Sequence, residues 1–332
     1  MEKRKIIIDC DPGVDDALAL ALTAAWKDKL EVLAVTTVSG NQTIEKVTDN
    51  ALKLTEFYGL DVPVAQGLET PIIREPQYAA NIHGDSGIGY AVLPETDRKP
   101  VEKKAVLYLA DLLLGLPEGE KITIVATGPM TNIGLLLRLF PEVKEHILEI
   151  IFMGGSLCGG NVTLSAEFNI YVDPEAADIV IHSGIPLVMC GLDVTTQCTL
   201  KRNHILKMCQ SGNPVAQLCG EMVGYELDNT ASAIRGEVNI HDAVTIMYLV
   251  HPEIFTGKRM ILDVDCSEGK SRGTTMGAFF WWKNEEKDTN ALVLTDEVDQ
   301  EKFQEYLISA LYELGSSKQN NGDGQTHELY CF

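Results

Sequence analysis

The stretch "DCDPGVDD" gathers four carboxylates, Asp9, Asp11, Asp15 and Asp16, within eight residues. Two carboxylates about 5 Å apart repel by roughly 3 kcal/mol at an effective dielectric near 20. Three or four together approach the whole ~5–15 kcal/mol stability of a domain. Such groups must be splayed into water, protonated, or neutralised by a cation. Pro12-Gly13 makes a tight turn, across which Asp11 can face Asp15 and Asp16. Carboxylates with backbone carbonyls form an all-oxygen donor set that suits a hard cation such as Ca2+. Asp15 and Asp16 alone would equally favour a helix N-terminus, but that leaves Asp9 and Asp11 without a role.

Other chemistry-bearing residues lie far along the chain. "NIHDAV" sets His241-Asp242 at the start of an apolar helix, where Asp242 also suits a cap. "AEFNIYVDPEAA" carries Glu167, Asn169 and Asp173; Asp173, just before Pro174 and Glu175, reads as a structural helix cap. His83, in the glycine-rich "NIHGDSGIG", reads by itself as a solvated loop histidine.

The elements that must position these residues alternate. "KIIIDC", "LEVLAVTTV", "DVPVAQG", "KITIVAT", "ILEIIFMGG" and "PLVMCGLD" read as strands, with amphipathic or apolar helices between them. Short apolar β-rich runs between helices predict an α/β fold with a mostly parallel central sheet flanked by helices. In open parallel sheets, ligands bind beyond the carboxyl ends of the strands. The polar clusters collect there: "DCDPGVDD", "SGN" at 39–41, "TGPMTN" at 127–132, "MGGSLCGGN" at 153–161 and "GLDVT" at 191–195. Beyond residue 200 the pattern is more helical, with later strand-like pieces "KRMILDVDC", "GAFFWW" and "NALVLTD". A final helix is expected to stop at Gly315, with 315–332 a loose polar tail.

The formal net charge over 332 residues is −21, which argues against a nucleic-acid or anionic-membrane partner. No apolar run approaches the ~18–20 residues of a membrane helix. "MEKRK" leads straight into a strand without the pattern of an export signal, so a cytoplasmic location is expected. The eight cysteines contain no C-x-x-C and read as reduced packing residues.

Taken in order, "DCDPGVDDALAL", "VSGN", "HGDSGIG", "ATGPMTNIG", "MGG…GN…AEFNIYVDPEAA" and "HDAV" resemble the inosine–uridine nucleoside hydrolase family. The blocks run from Asp9 to Asp242. The resemblance implies a single hydrolase domain over 1–314, a tightly held Ca2+, and hydrolysis of the N-glycosidic bond of ribonucleosides. It implies Asp11, Asp16 and Asp242 as calcium carboxylates, with Thr127 adding its backbone carbonyl. Asp15, Asn41, Asn161, Glu167 and Asn169 would hold the ribose, joined by Asp242. His83 and His241 would line the space around the base and 5′-hydroxyl, with Asp11 as general base and His241 as leaving-group acid. Family members commonly form dimers or tetramers, so a homodimer or homotetramer is expected. Divergence is expected around 75–85 and 220–240, where the base would sit.

Two rival readings begin from the same residues. A haloacid-dehalogenase-like phosphatase also opens with strand-D-x-D, but Gly13 stands where its Thr or Val belongs. A calcium- or nucleoside-binding module without catalysis would use the same acidic cluster.

Overall fold

A computed structural model describes residues 3–278 and 289–320. Eleven strands occur among them: β1 Arg4–Cys10, β2 Leu30–Thr37, β3 Val64–Gln66, β4 Ile122–Ala126, β5 Ile147–Met153, β6 Leu187–Cys190, β7 Thr199–Lys201, β8 Glu237–Asn239, β9 Phe255–Val264, β10 Thr275–Ala278 and β11 Ala291–Val298. Nine form one sheet in the order β10-β9-β11-β6-β5-β4-β1-β2-β3. Neighbours from β3 across to β11 run parallel, and β9 and β10 are antiparallel at the other edge. The expected mostly parallel sheet between helices is therefore present.

β1 shows why the sheet needs cover on both faces. Ile6, Ile8 and Cys10 point into one core, and Ile7 into the other. On the first side lies the helix Val14–Ala25, buried continuously from Val14 to Ala24. A helix apolar all round belongs in an interior, and "ALALALTAA" is such a sequence. The opposite core is closed by helices Ala105–Leu114, Thr131–Leu139 and Pro174–Ile181.

The chain runs from β1 outward to β2 and β3, then returns to place β4 on the other side of β1. That reversal opens a crevice at the carboxyl ends of β1 and β4, where such sheets bind ligands. Thr127 N–H donates to Asp9 O (2.8 Å), which locks the two strand ends together.

The small antiparallel pair β7–β8 has no counterpart among the expected elements. Its strands are three residues long, too short for a period to show. It matters because it carries the chain to Ile240, whose N–H bonds Cys198 O (2.8 Å), and so delivers His241 and Asp242 to the rim. "GAFFWW" is described only through Ala278; its aromatic residues lie outside the described residues.

The last helix, Gln300–Asn320, passes through Gly315 and does not stop there. The expected tail is thus helical through Asn320, and 321–332 lie outside the described residues. Gly315 is a crossing point. A Cβ there would lie 1.9 Å from Asn213 Oδ1. Asn213 caps the helix Pro214–Asn229 by accepting from Ala216 N (3.0 Å), and its Nδ2 donates to Tyr312 O (2.9 Å). Intrinsic propensity favours Ala over Gly in a helix by about 1 kcal/mol. Here the added methyl must displace a cap worth about 1 kcal/mol and crowd a filled contact at about 1–3 kcal/mol. Gly315→Ala is therefore expected to lower the urea midpoint of unfolding; a raised midpoint would show that the crossing is loosely packed.

Candidate active site

The crevice opens into a cavity of about 540 Å³. Its walls include Asp15, Asn41, His83, Thr127, Asn161, Glu167, Asn169, His241 and Asp242. Residues more than 200 positions apart thus meet in one space.

Asp11, Asp15, Asp16 and Asp242 are all buried. One oxygen each of Asp15, Asp16 and Asp242 falls within a group less than 4.8 Å across, able to hold a metal ion. The N-terminal helix accounts for part of Asp16: its Oδ2 accepts from Gly13 N (2.9 Å). The same carboxylate accepts from Asn41 Nδ2 (3.1 Å) and, through Oδ1, from Thr127 Oγ1 (2.7 Å). Asp242 stands at the N-cap of Ala243–Val250, yet its side chain makes no capping bond. Capping does not explain it. Asp173, by contrast, does cap: it accepts from Ala176 N (3.1 Å), Ile72 N (3.0 Å) and Thr131 Oγ1 (2.6 Å).

Asp11 sits beside this group. Its Oδ2 accepts from Asn41 N (2.7 Å), while its Oδ1 is buried with no hydrogen-bond partner among the described residues. Two glycines make room for it. A Cβ on Gly40 would lie 2.2 Å from Asp11 Oδ2, and one on Gly128 would lie 2.6 Å from Oδ1. Asp9, the fourth carboxylate of the motif, does not join the group. Its Oδ1 accepts from Thr36 Oγ1 and from Asn132 Nδ2 (2.8 Å), so it ties β1 to β2 and to the helix Thr131–Leu139. Strand alternation puts it on the Ile7 side.

Burial raises the carboxyl pKa of Asp11, Asp16 and Asp242, and mutual repulsion raises each further. A carboxylate taken from water without a counter-charge takes up a proton. A divalent cation reverses this by supplying the missing charge. The donor set fits such an ion: oxygen atoms only, one of them orphaned, in a cradle that added methyl groups would fill.

Asn169 Nδ2 donates to Thr127 O (2.7 Å) and Met153 O (3.1 Å), which leaves its Oδ1 for a ligand. Glu167 caps the short helix Phe168–Val172, accepting from Asn169 N (3.0 Å), Ile170 N (3.2 Å) and Gly155 N (2.9 Å). Burial raises its pKa to about 7 against those bonds. Asn161 is exposed at the mouth, and its Oδ1 accepts from Phe168 N (2.9 Å).

His83 is buried, so the solvated-loop reading fails. The short helix Ala80–His83 lays its ring against the turn, where Nδ1 accepts from Val14 N (3.2 Å). An Nδ1 that accepts an N–H carries no proton, which leaves Nε2–H as the donor. Burial lowers its pKa, with Asp15 and Asp16 opposing. His241 is likewise shifted down by burial, and its Nδ1 pairs with Thr195 Oγ1 (2.8 Å).

Residues 6–305 match the sequence profile of the inosine–uridine preferring nucleoside hydrolases. This chain belongs to that family. It is 41% identical over 309 residues to the pyrimidine-specific ribonucleoside hydrolase of Salmonella typhimurium, covering 92% of this chain and 97% of that protein. It is 42% identical over 271 residues to the non-specific ribonucleoside hydrolase of Escherichia fergusonii, covering 82% and 87%. The purine-preferring ribonucleoside hydrolase from Gardnerella vaginalis superposes with a TM-score of 0.86 at 31% identity, over 95% of this chain and 100% of that one. The family settles the rival readings: this nucleoside hydrolase is an enzyme, and a phosphatase or inert binding module is set aside. Among its described residues no helix is long and apolar enough to cross a membrane.

The motif reading named the acidic residues but missed two charged wall residues, Glu226 and Arg235. Both fall in 220–240, where only the fold shows that they face the cavity.

Asp16 is the most heavily braced member of the acidic group. Asp16→Ala is expected to purify with at least about tenfold less bound divalent metal, the upper loss on removing even an outer partner being about 100-fold. Elemental analysis of the purified protein checks it; an undiminished metal content would remove Asp16 from the ligand set.

Proposed function

We propose that this nucleoside hydrolase uses Ca2+ to cleave the N-glycosidic bond of ribonucleosides such as inosine, uridine and cytidine, releasing ribose and free base for nucleoside salvage. One observation carries the reading: Asp15, Asp16 and Asp242 converge within 4.8 Å, and Asp15 and Asp242 of that group line a cavity that also holds Asn169, Glu167 and His241. Asp11, Asp16, Asp242 and the carbonyl of Thr127 would hold the ion, which suits calcium because every donor is oxygen. When bound, the ion neutralises the carboxylates and orients a water and the 2′- and 3′-hydroxyls. A small divalent ion such as Mg2+ would instead demand a near-octahedral site.

The protein's own groups do the rest. Departure of the base leaves the ribose with oxocarbenium character, and the surrounding carboxylates stabilise that positive charge. Asp11 takes the proton of the attacking water; its Oδ1 has no hydrogen-bond partner among the described residues. A positioned general base is worth about 10²–10⁴ in rate. Asp15 and Asn169 Oδ1 accept from the ribose hydroxyls, and Asn41 braces Asp11 and Asp16 behind them. Glu167 and Asn161 hold the 5′ end. His241 protonates the departing base through Nε2, because Thr195 occupies Nδ1.

Release of reducing sugar from inosine, adenosine, guanosine, uridine and cytidine tests the reading directly. A site built to satisfy a hydroxyl rejects an analogue lacking it by up to about 10⁴–10⁵. 2′-Deoxyuridine is therefore expected to show a kcat/KM orders of magnitude below that of uridine. Equal values would refute the sugar assignment.

The role of His241 separates by leaving group. His241→Ala is expected to lower kcat strongly, within about 10²–10⁴ for a lost general acid, on inosine and uridine. It should change p-nitrophenyl riboside little, since that leaving group needs no proton. An equal loss on all three would make His241 a positioning group.

A further inference from the structure

The cavity holds a second buried glutamate whose surroundings differ from those of Glu167. Glu167 receives three backbone N–H groups. Glu226, on the helix Pro214–Asn229, is 8% exposed and makes no side-chain hydrogen bond among the described residues. The His83 ring lies beside it, at 3.7 Å from Oε1 to Nδ1. That nitrogen already accepts from Val14 N. Buried polar groups are almost always hydrogen-bonded, so a carboxyl left open in a cavity wall is explained by a ligand that completes it.

The position of Glu226 is well fixed. Tyr225 packs edge-to-face on Tyr90, with ring centroids 5.0 Å apart, and Asn229 Nδ2 donates to the Tyr90 hydroxyl (2.8 Å). These contacts pin the end of the helix against the segment that carries His83. Asp15, His83 and Glu226 fall within one group less than 4.8 Å across. Glu226 therefore lies beside His83 and within 4.8 Å of Asp15, the carboxylate proposed to bind the sugar.

Resting on the hydrolase reading above, we infer that Glu226 is the residue of this chain that hydrogen-bonds the nucleobase and sets base recognition. Burial, with the Asp15 carboxylate beside it, raises its pKa well above the usual carboxyl range. A neutral carboxyl offers an O–H donor and a C=O acceptor side by side. That pair matches a base edge with an adjacent N–H and carbonyl, as uracil and hypoxanthine present. An ionised carboxylate would only accept and would repel the carbonyl.

The test compares Glu226→Leu and Glu226→Gln with the wild type on uridine, inosine and p-nitrophenyl riboside, and measures inhibition by free uracil and hypoxanthine. Loss of a typical hydrogen bond is worth about tenfold. Glu226→Leu is expected to lower kcat/KM for the two nucleosides at least about tenfold, and to weaken inhibition by the free bases comparably. It should leave p-nitrophenyl riboside, which lacks the edge, within about twofold. Glu226→Gln keeps a donor and an acceptor and should lie near the wild type. An equal loss on all three substrates, unchanged inhibition by the bases, or a Gln variant no better than Leu overturns the inference. Wild-type protein that cleaves no riboside overturns the hydrolase reading as well, whereas an active wild type with indifferent variants overturns this inference alone.

Discussion

Repulsion among Asp11, Asp15, Asp16 and Asp242 is the constraint that shapes this end of the molecule. Three buried carboxyl groups within 4.8 Å, with buried Asp11 beside them, oppose folding unless each is braced and the set has a counter-charge. The bracing is visible. Asn41 spans Asp11 and Asp16, Thr127 donates to Asp16, and the N-terminus of Val14–Ala25 aims Gly13 N at the same carboxylate. Gly40 and Gly128 carry no Cβ because Asp11 occupies that space. Each brace reduces the freedom of a carboxylate without neutralising it, so the arrangement is organised around a cation before one arrives.

The sheet makes that arrangement possible. The reversal of strand order beside β1 leaves the turn after β1 and the turn after β4 facing the same crevice. Parallel neighbours on both sides hold β1 in fixed register, so Asp11 leaves a rigid strand end. The fourth carboxylate has to arrive from far along the chain. The β7–β8 pair does this by fixing Ile240 to Cys198, which leaves Asp242 only two residues of slack. Asp9 has a separate role on the opposite face, joining three elements through Thr36 and Asn132.

Periodicity in the sequence was enough to reveal the parallel core, because buried strands such as "IIIDC" and helices such as "ALALALTAA" have few alternatives. The acidic group was legible for an electrostatic reason: such charge density next to an apolar run demands an explanation. His83 was legible only through the family resemblance, since a histidine in a glycine-rich loop shows nothing by itself of the helix N-terminus it will pack against. Gly315 misled for a related reason. A glycine at the end of a periodic run reads as a stop, but here it answers to Asn213 on another helix. In both cases the deciding partner is distant in sequence, and local pattern carries no information about it. The β7–β8 strands were hidden by length alone.

The two ends of the cavity follow different physical rules. At the end proposed to hold the sugar, the protein braces the polar groups: Glu167 by three backbone N–H groups, and Asn169 Nδ2 by two carbonyls. Such groups keep one geometry whether or not a ligand is present, which suits a ribose common to every nucleoside. At the other end stands Glu226, with His83 at 3.7 Å and no donor of its own. A group that the protein leaves unsatisfied contributes most when the ligand completes it, and it penalises a ligand that cannot. Selection among bases therefore belongs at the open end. The relatives fit that division: the hydrolases named for pyrimidines, for purines or for neither share the fold with this chain, so the difference among their bases must come from side chains the fold does not fix.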